Sequence, residues 1–326
     1  MKSESLKIRK PWIDLSKVVL IYLMVACHIG VSQVMDTIIV SFHMSAFFMI
    51  SGYLHRYGEW LPSVKKAAKR LLVPALFFNL LGYCIWVINN IDLSFSVKEY
   101  VTKPILGIIL LNPSIARPMC MPMWFCIALF FIKILLLPCN KTKMYIITLI
   151  SCLVISVILL NYKFSGSNFI GRIFLGSVFY IIGFLLKGNI DKLLHTKIWL
   201  RSLLTALFLS ILCMIALYNG RPSWLNFEFG RFIMLFLLTS ILGAFATFVI
   251  SSLIYRNTFS VITYLSNNTL TILGVHLLLF PLLPPINHFI DALIVLILCF
   301  PIIWIFNRFI PTLIGNKRIV NKTNEI

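Results

Sequence analysis

The chain has 326 residues, of which 60% are hydrophobic and only 12% charged, against about 45–50% apolar and 25% charged in a typical soluble domain. That balance excludes a disordered chain and an ordinary cytosolic enzyme, and eight cysteines spread over this length exclude a small disulfide scaffold. The net charge of +19 comes from basic residues lying between apolar runs. This fits loops facing an anionic leaflet or capture of an anionic ligand better than nucleic-acid binding.

At about 20 apolar residues per span, the length holds about ten transmembrane helices with short loops. Residues 1–326 therefore read as a single integral-membrane domain, an all-α polytopic helical bundle. The spans are expected at 17–35, 38–57, 70–90, 122–139, 143–161, 169–187, 198–218, 229–253, 262–283 and 288–310. The first run is interrupted by Lys17 and His28 and is followed by no Ala-x-Ala-like site, so it reads as a retained helix rather than a signal peptide. The mixed-polarity stretch from Asn89 to Pro122 is expected to form the main outer feature, and its apolar run 104–112 is too short to cross, so it is a re-entrant or surface segment. Strand-period alternation is absent, which argues against a β-barrel. The cysteines show no Cys-x-x-Cys or zinc spacing and read as small buried hydrophobes.

Orientation follows from the Lys/Arg bias. With both termini on the cytoplasmic side, 21 of the 29 basic residues fall inside and seven outside, with Lys133 within a helix. The inner group includes Lys17, Lys65, Lys66, Lys69 and Arg70; the outer group includes Arg117, Arg172, Arg221 and Arg231.

An ionisable residue at membrane depth is a functional candidate by default. Lys17 and His28 are eleven residues apart, which puts them on one helix face, roughly 16 Å apart along the axis. They do not touch, but they can line one passage, with Lys17 at its inner mouth; snorkelling of Lys17 and a helix–helix hydrogen bond from His28 are the structural alternatives. His43 on the second helix and His276 on the ninth fall at a similar depth to His28, marking either a polar chamber or three separate helix contacts. A metal needs closely spaced ligands or supporting carboxylates; few acids lie at this depth, so none is expected. His55, His195 and His288 read as solvated loop-edge residues, and Asp14 is placed to pair with Lys17 at i+3. Asp36, Glu228 and Asp291 are expected near the outer surface.

The ordered set of motifs resembles one family. The opening RKPWIDLSKVVLIYLMVACH carries the Arg/Lys, ten residues, His pattern of the acyltransferase-3 membrane family. SFHMSAFFMISGYL resembles the second-helix signature of its glycan O-acetyltransferase branch, the fucose 4-O-acetylase-like proteins. VKKAAKRLLVP, PMWFCIALF, YIIGFLLKG and YLSNNTLTILGVH resemble its later helices, so the likeness covers essentially the whole chain. Two positions depart from the pattern: Ser45-Ala46 stand where the family often has Pro-Leu, removing the residue that would kink helix 2. Lys17 replaces the commoner Arg, keeping the charge without the bidentate fork.

The resemblance implies a multi-pass protein of a bacterial inner membrane that transfers an acyl group, usually acetyl, from acetyl-CoA to a hydroxyl of a cell-surface glycan or its lipid-linked precursor. A sugar hydroxyl needs a base within hydrogen-bond reach, and a neutral imidazole suits that task. In this reading His28 accepts the proton, and His43 orients the acceptor or polarises the thioester carbonyl. Lys17, Lys66, Lys69 and Arg70 hold the donor's phosphates. Ser51, Trp124 and His276 are candidates for substrate contact, and Gly52 allows a backbone or ligand to approach closely. With no Gly-x-Ser-x-Gly elbow, an acyl-enzyme on serine is not the first choice. Membrane lipids and the glycan acceptor are the partners implied. The alternatives are a transporter or flippase for a glycan or lipid-linked sugar, for which no matching pair of broken helices is visible, and a pH-responsive sensor.

Overall fold

The structure, a computed structural model, describes residues 9–90, 96–109, 121–162, 166–254, 259–283 and 286–316. Arg117, Lys163 and Arg256, which entered the charge bias, lie outside these residues, as do the two chain ends.

The chain is an all-α polytopic membrane bundle. In order, its helices are α1 (Pro11–Ile29), α2 (Gln33–Val40), α3 (His43–Tyr53), α4 (Trp60–Ala67), α5 (Val73–Asn90), α6 (Lys103–Ile109), α7 (Trp124–Leu135) and α8 (Thr142–Asn161). They continue as α9 (Ser167–Leu185), α10 (Lys187–Leu194), α11 (Ile198–Asn219), α12 (Ile233–Ile254), α13 (Ser260–Asn267), α14 (Thr269–Leu279) and α15 (His288–Phe309). Among the described residues eight helical segments are long and apolar enough to cross a membrane, or nine if the bent pair α13–α14 counts as one span. The span expected at 122–139 is the short helix α7, whose 12 residues reach only about 18 Å, less than the hydrocarbon thickness. Of the expected re-entrant or surface run 104–112, residues 104–109 belong to α6, and 110–112 lie outside the described residues.

Local chemistry sets the helix ends. Pro11 starts α1 six residues before the expected boundary, because proline suits a first helical position. Gly30 closes the helix with φ +110°, a conformation that a side chain resists. The Ser32 hydroxyl caps α2, and Asn287 caps α15 by accepting from the Phe289 N–H at 3.0 Å. Helix 2 is interrupted at Ser41–Phe42, between α2 and α3, although no proline lies there. A π-helical turn at Ala68–Leu72 joins α4 to α5.

Helix α1 lies at the centre, against α2, α3, α12, α13, α14 and α15. Helices α3 and α9 pack without intervening side chains. A Cβ on Gly52 would lie 1.8 Å from the Tyr180 carbonyl oxygen, and one on Gly183 would lie 2.1 Å from that of Met49. Gly52 therefore admits a neighbouring backbone, as small residues do in membrane helix packing. At the periphery α8 and α11 expose Ile146, Ile150, Leu203 and Met214, as a lipid-facing surface requires.

Candidate functional site

Lys17 lies in the second turn of α1 and His28 in its last, and the structure gives each region its own chemistry. At the Lys17 end a cavity of about 1120 Å³ is lined by Lys17, Arg70 and Arg308, by the polar run Ser266–Thr271, and by Asn307 and Asn316. No Asp or Glu is among its lining residues. Asp14 does not pair with Lys17. Its carboxylate instead takes two hydrogen bonds from Arg9, at 2.5 and 3.0 Å, and one from the Ser266 hydroxyl at 2.6 Å. A salt bridge that also carries a hydroxyl donor satisfies Asp14 better than the i+3 contact, and it leaves the cavity cationic.

At the other end His28 is exposed in the last turn of α1, with its ring 5.2 Å from that of His276. His276 is 0% exposed. Its Nδ1–H reaches the Ile272 and Leu273 carbonyls at 3.1 and 3.0 Å, and Nε2 has no hydrogen-bond partner among the described residues. His43, at the start of α3, is buried and donates Nδ1–H to the Ile39 carbonyl at 3.0 Å. In a neutral ring this fixes the tautomer, so that Nε2 carries a lone pair. In that tautomer His43 Nε2 can accept a hydrogen bond from a hydroxyl but cannot donate one to a carbonyl. His43 and Asp36 both lie within electrostatic reach of His28, and Asp36 is paired with Arg221. The three histidines thus belong to one neighbourhood. Among the described residues no group of three His, Cys, Asp or Glu side chains has the spacing to hold a metal.

A single open passage between the two ends is not formed. Ile21 and Met24 occupy the α1 face between Lys17 and His28 and are each 2% exposed. His28 lines neither cavity described here.

A second cavity, of about 610 Å³, lies beneath the loop from Leu54 to Glu59 and is lined by Arg56, Lys66, Arg70 and Lys133, with Glu59 as its acid. Arg70 and Leu71, on the π-helical turn, belong to both cavities. The expectation that His55 is solvated is overturned. It is half-buried and bonded through Nδ1 to the Tyr180 hydroxyl at 2.9 Å and through Nε2 to the Tyr145 hydroxyl at 3.0 Å. Tyr145 donates to the Cys139 carbonyl at 3.0 Å, so His55 Nε2–H must donate to Tyr145, and Nδ1 accepts from Tyr180. A neutral ring satisfies every bond. Burial, then the charges of Lys133 and Lys187, push its pKa down to about 4.

The other expected residues separate. Lys66 lines the second cavity, Arg70 lines both, and Lys69 is exposed and lines neither. Ser51 lies in the last turn of α3, below His43, and is half-buried. Trp124 is buried in an aromatic stack, 5.8 Å from Trp224 and 6.4 Å from Phe48, which gives it a packing role. Arg172, counted with the outer group, is a core residue. It is 0% exposed within α9, with its guanidinium 5.3 Å from the Trp124 ring and Nη2 donating to the Leu225 carbonyl at 3.0 Å. Asp291, expected near the surface, is buried in the first turn of α15.

Sequence reading missed Arg308, Asn268 and Thr271 as cavity residues. The signal was present in Ser266-Asn267-Asn268-Thr269, four polar residues in a row within an apolar span. The chain bends by 81° there, between α13 and α14, so one broken span exists where none was expected.

The acyltransferase 3 family model, described as an acyltransferase domain, matches residues 10–319. No curated protein and no solved structure matches the chain.

Proposed function

The chain belongs to the acyltransferase 3 family and is a membrane-bound acyltransferase; from that premise we propose that it moves an acetyl group from acetyl-coenzyme A to a hydroxyl of a cell-surface glycan or its lipid-linked precursor. The observation that carries this reading is the pairing of functions along α1, an acid-free cationic cavity at Lys17 and an imidazole pair at His28.

In this mechanism Lys17 and Arg70 attract the donor's phosphates, with Arg308 on the same wall. For the thioester to meet His28, the packing at Ile21 and Met24 must open and admit the donor's flexible arm along the roughly 16 Å of α1 that separates Lys17 from His28. His28 accepts the acceptor's hydroxyl proton as that oxygen attacks the thioester carbonyl. The carbon–sulfur bond breaks, the sulfur takes up the proton from His28, and an ester and free thiol result. His43 Nε2 accepts a hydrogen bond from an acceptor hydroxyl and so orients it. His276, anchored through its backbone bonds, holds the His28 ring in place. The Lys/Arg bias supports a cytoplasmic location for both termini, and in that orientation the Lys17 cavity would face the compartment where the coenzyme is made.

The test is reconstitution with radiolabelled acetyl-CoA and a glycan acceptor. Wild-type protein should transfer label, and the His28→Ala variant should insert normally, bind donor and transfer label at least about a hundredfold more slowly. Normal transfer by that variant would remove His28 from the mechanism. The broken span α13–α14 is also a transporter-like feature; glycan movement across vesicles without acetyl-CoA binding would favour that reading.

A further inference from the structure

We propose that the N-terminus of α14, exposed at the break in the bundle, is a binding subsite for a diphosphate ester. The break at Asn268 starts a new helix inside the protein rather than at its surface. The first intrahelical bond runs from the Ile272 N–H to the Asn268 carbonyl at 3.1 Å. The N–H groups of Thr269, Leu270 and Thr271 therefore have no intrahelical acceptor.

Asparagine is among the best N-cap residues, yet no side chain caps this helix. The Asn268 side chain is held elsewhere. Its Oδ1 accepts from Asn307 and Asn316, each at 3.0 Å, and its Nδ2 donates to the Tyr264 carbonyl at 2.8 Å. The residue that would close the helix end is committed to a network behind it, and the three N–H groups are left to the cavity.

A second observation is independent of the helix end. Thr271 lines the cavity, is 1% exposed, and its hydroxyl has no hydrogen-bond partner among the described residues. A buried hydroxyl with no partner forgoes the bond it makes in water, and an acceptor oxygen in the cavity would restore it. The same cavity is lined by Lys17, Arg70 and Arg308, with no carboxylate among the lining residues. One carboxylate or a single phosphate would leave much of this charge uncompensated; a diphosphate answers more of it, and the helix dipole adds to the attraction. Tyr264 and Trp304 also line the cavity, where the organic part of such an ester would lie.

This inference rests on the donor reading for one of its two sources, the diphosphate of coenzyme A. The other source is the diphosphate that joins a lipid carrier to its glycan. Binding to the full-length protein in detergent separates them, with inorganic diphosphate, acetyl-CoA, S-acetylpantetheine (which lacks phosphate) and farnesyl diphosphate as probes. Thr271→Val removes only an unbonded hydroxyl, so its fold is preserved, and Thr271→Ser restores that group. We expect Thr271→Val and Arg308→Gln each to weaken inorganic diphosphate and acetyl-CoA by about tenfold, with Thr271→Ser at the wild-type value and S-acetylpantetheine unaffected. Weakened binding of farnesyl diphosphate, in a protein that does not bind acetyl-CoA, would uphold the subsite, assign it to the lipid-linked source and overturn the donor reading. Undiminished inorganic diphosphate affinity in both variants would overturn the subsite, whatever happens to acetyl-CoA.

Discussion

The cavity of about 1120 Å³ at Lys17 is lined by three cations and no acid, and the neighbouring Asp14 is paired with Arg9. Around His28 it gathers imidazoles, and the one nearby carboxylate, Asp36, is already paired with Arg221. Holding an anion requires positive charge that nothing else neutralises. Accepting a proton requires a ring that starts neutral. The two requirements conflict if they share one spot, and α1 keeps them on one face at opposite ends.

The strongest way to break this division is His28→Ala. Transfer should fall about 10²–10⁴-fold, the range of general-base catalysis, with donor affinity unchanged, measured by label transfer and equilibrium binding on the same preparation. If donor binding fell equally, the two ends would not be functionally separate. Arg70→Gln acts on the opposite end and should raise the donor KM about tenfold or more while sparing kcat, since a charge-assisted bond contributes roughly 1.5–3 kcal/mol.

A finer cut is available at His276. Asparagine there keeps a donor for the Ile272 carbonyl but lacks the Nε2 atom that His276 presents without a partner. Its kcat should fall about tenfold, and steady-state rates at saturating donor would show it. An unchanged kcat would reduce His276 to a packing residue.

The smallest effect belongs to neither end. His55 has a pKa of about 4 in the folded chain, against about 6.5 when unfolded. Between those values the unfolded chain takes up a proton that the folded chain refuses. Its contribution to stability is therefore full above about pH 6.5 and lost as the pH falls toward 4. Melting temperature measured across that window should decline in wild type and decline less in His55→Gln.

The helices were legible in the sequence because hydropathy alone sets them in a bilayer, and the Lys17–His28 spacing placed both residues on α1. The partners were less legible, because they come from distant segments. Asp14 is held by Ser266, and His28 meets His276, contacts that depend on which helices are neighbours. The break at Asn268 carried a compositional mark without glycine or proline, the usual breakers. Arg172 was counted only as outer charge because its partners are distant in sequence: the ring of Trp124 and the Leu225 carbonyl receive it inside, beside the local Asn168 carbonyl.

The apolar septum formed by Ile21 and Met24 has a consequence for the cell rather than for the reaction. A bundle with a charged vestibule at one end and titratable rings at the other has the makings of a proton leak. Two dry side chains across that route present a dewetted barrier to ions, so energy stored across the bilayer is not dissipated through the protein at rest.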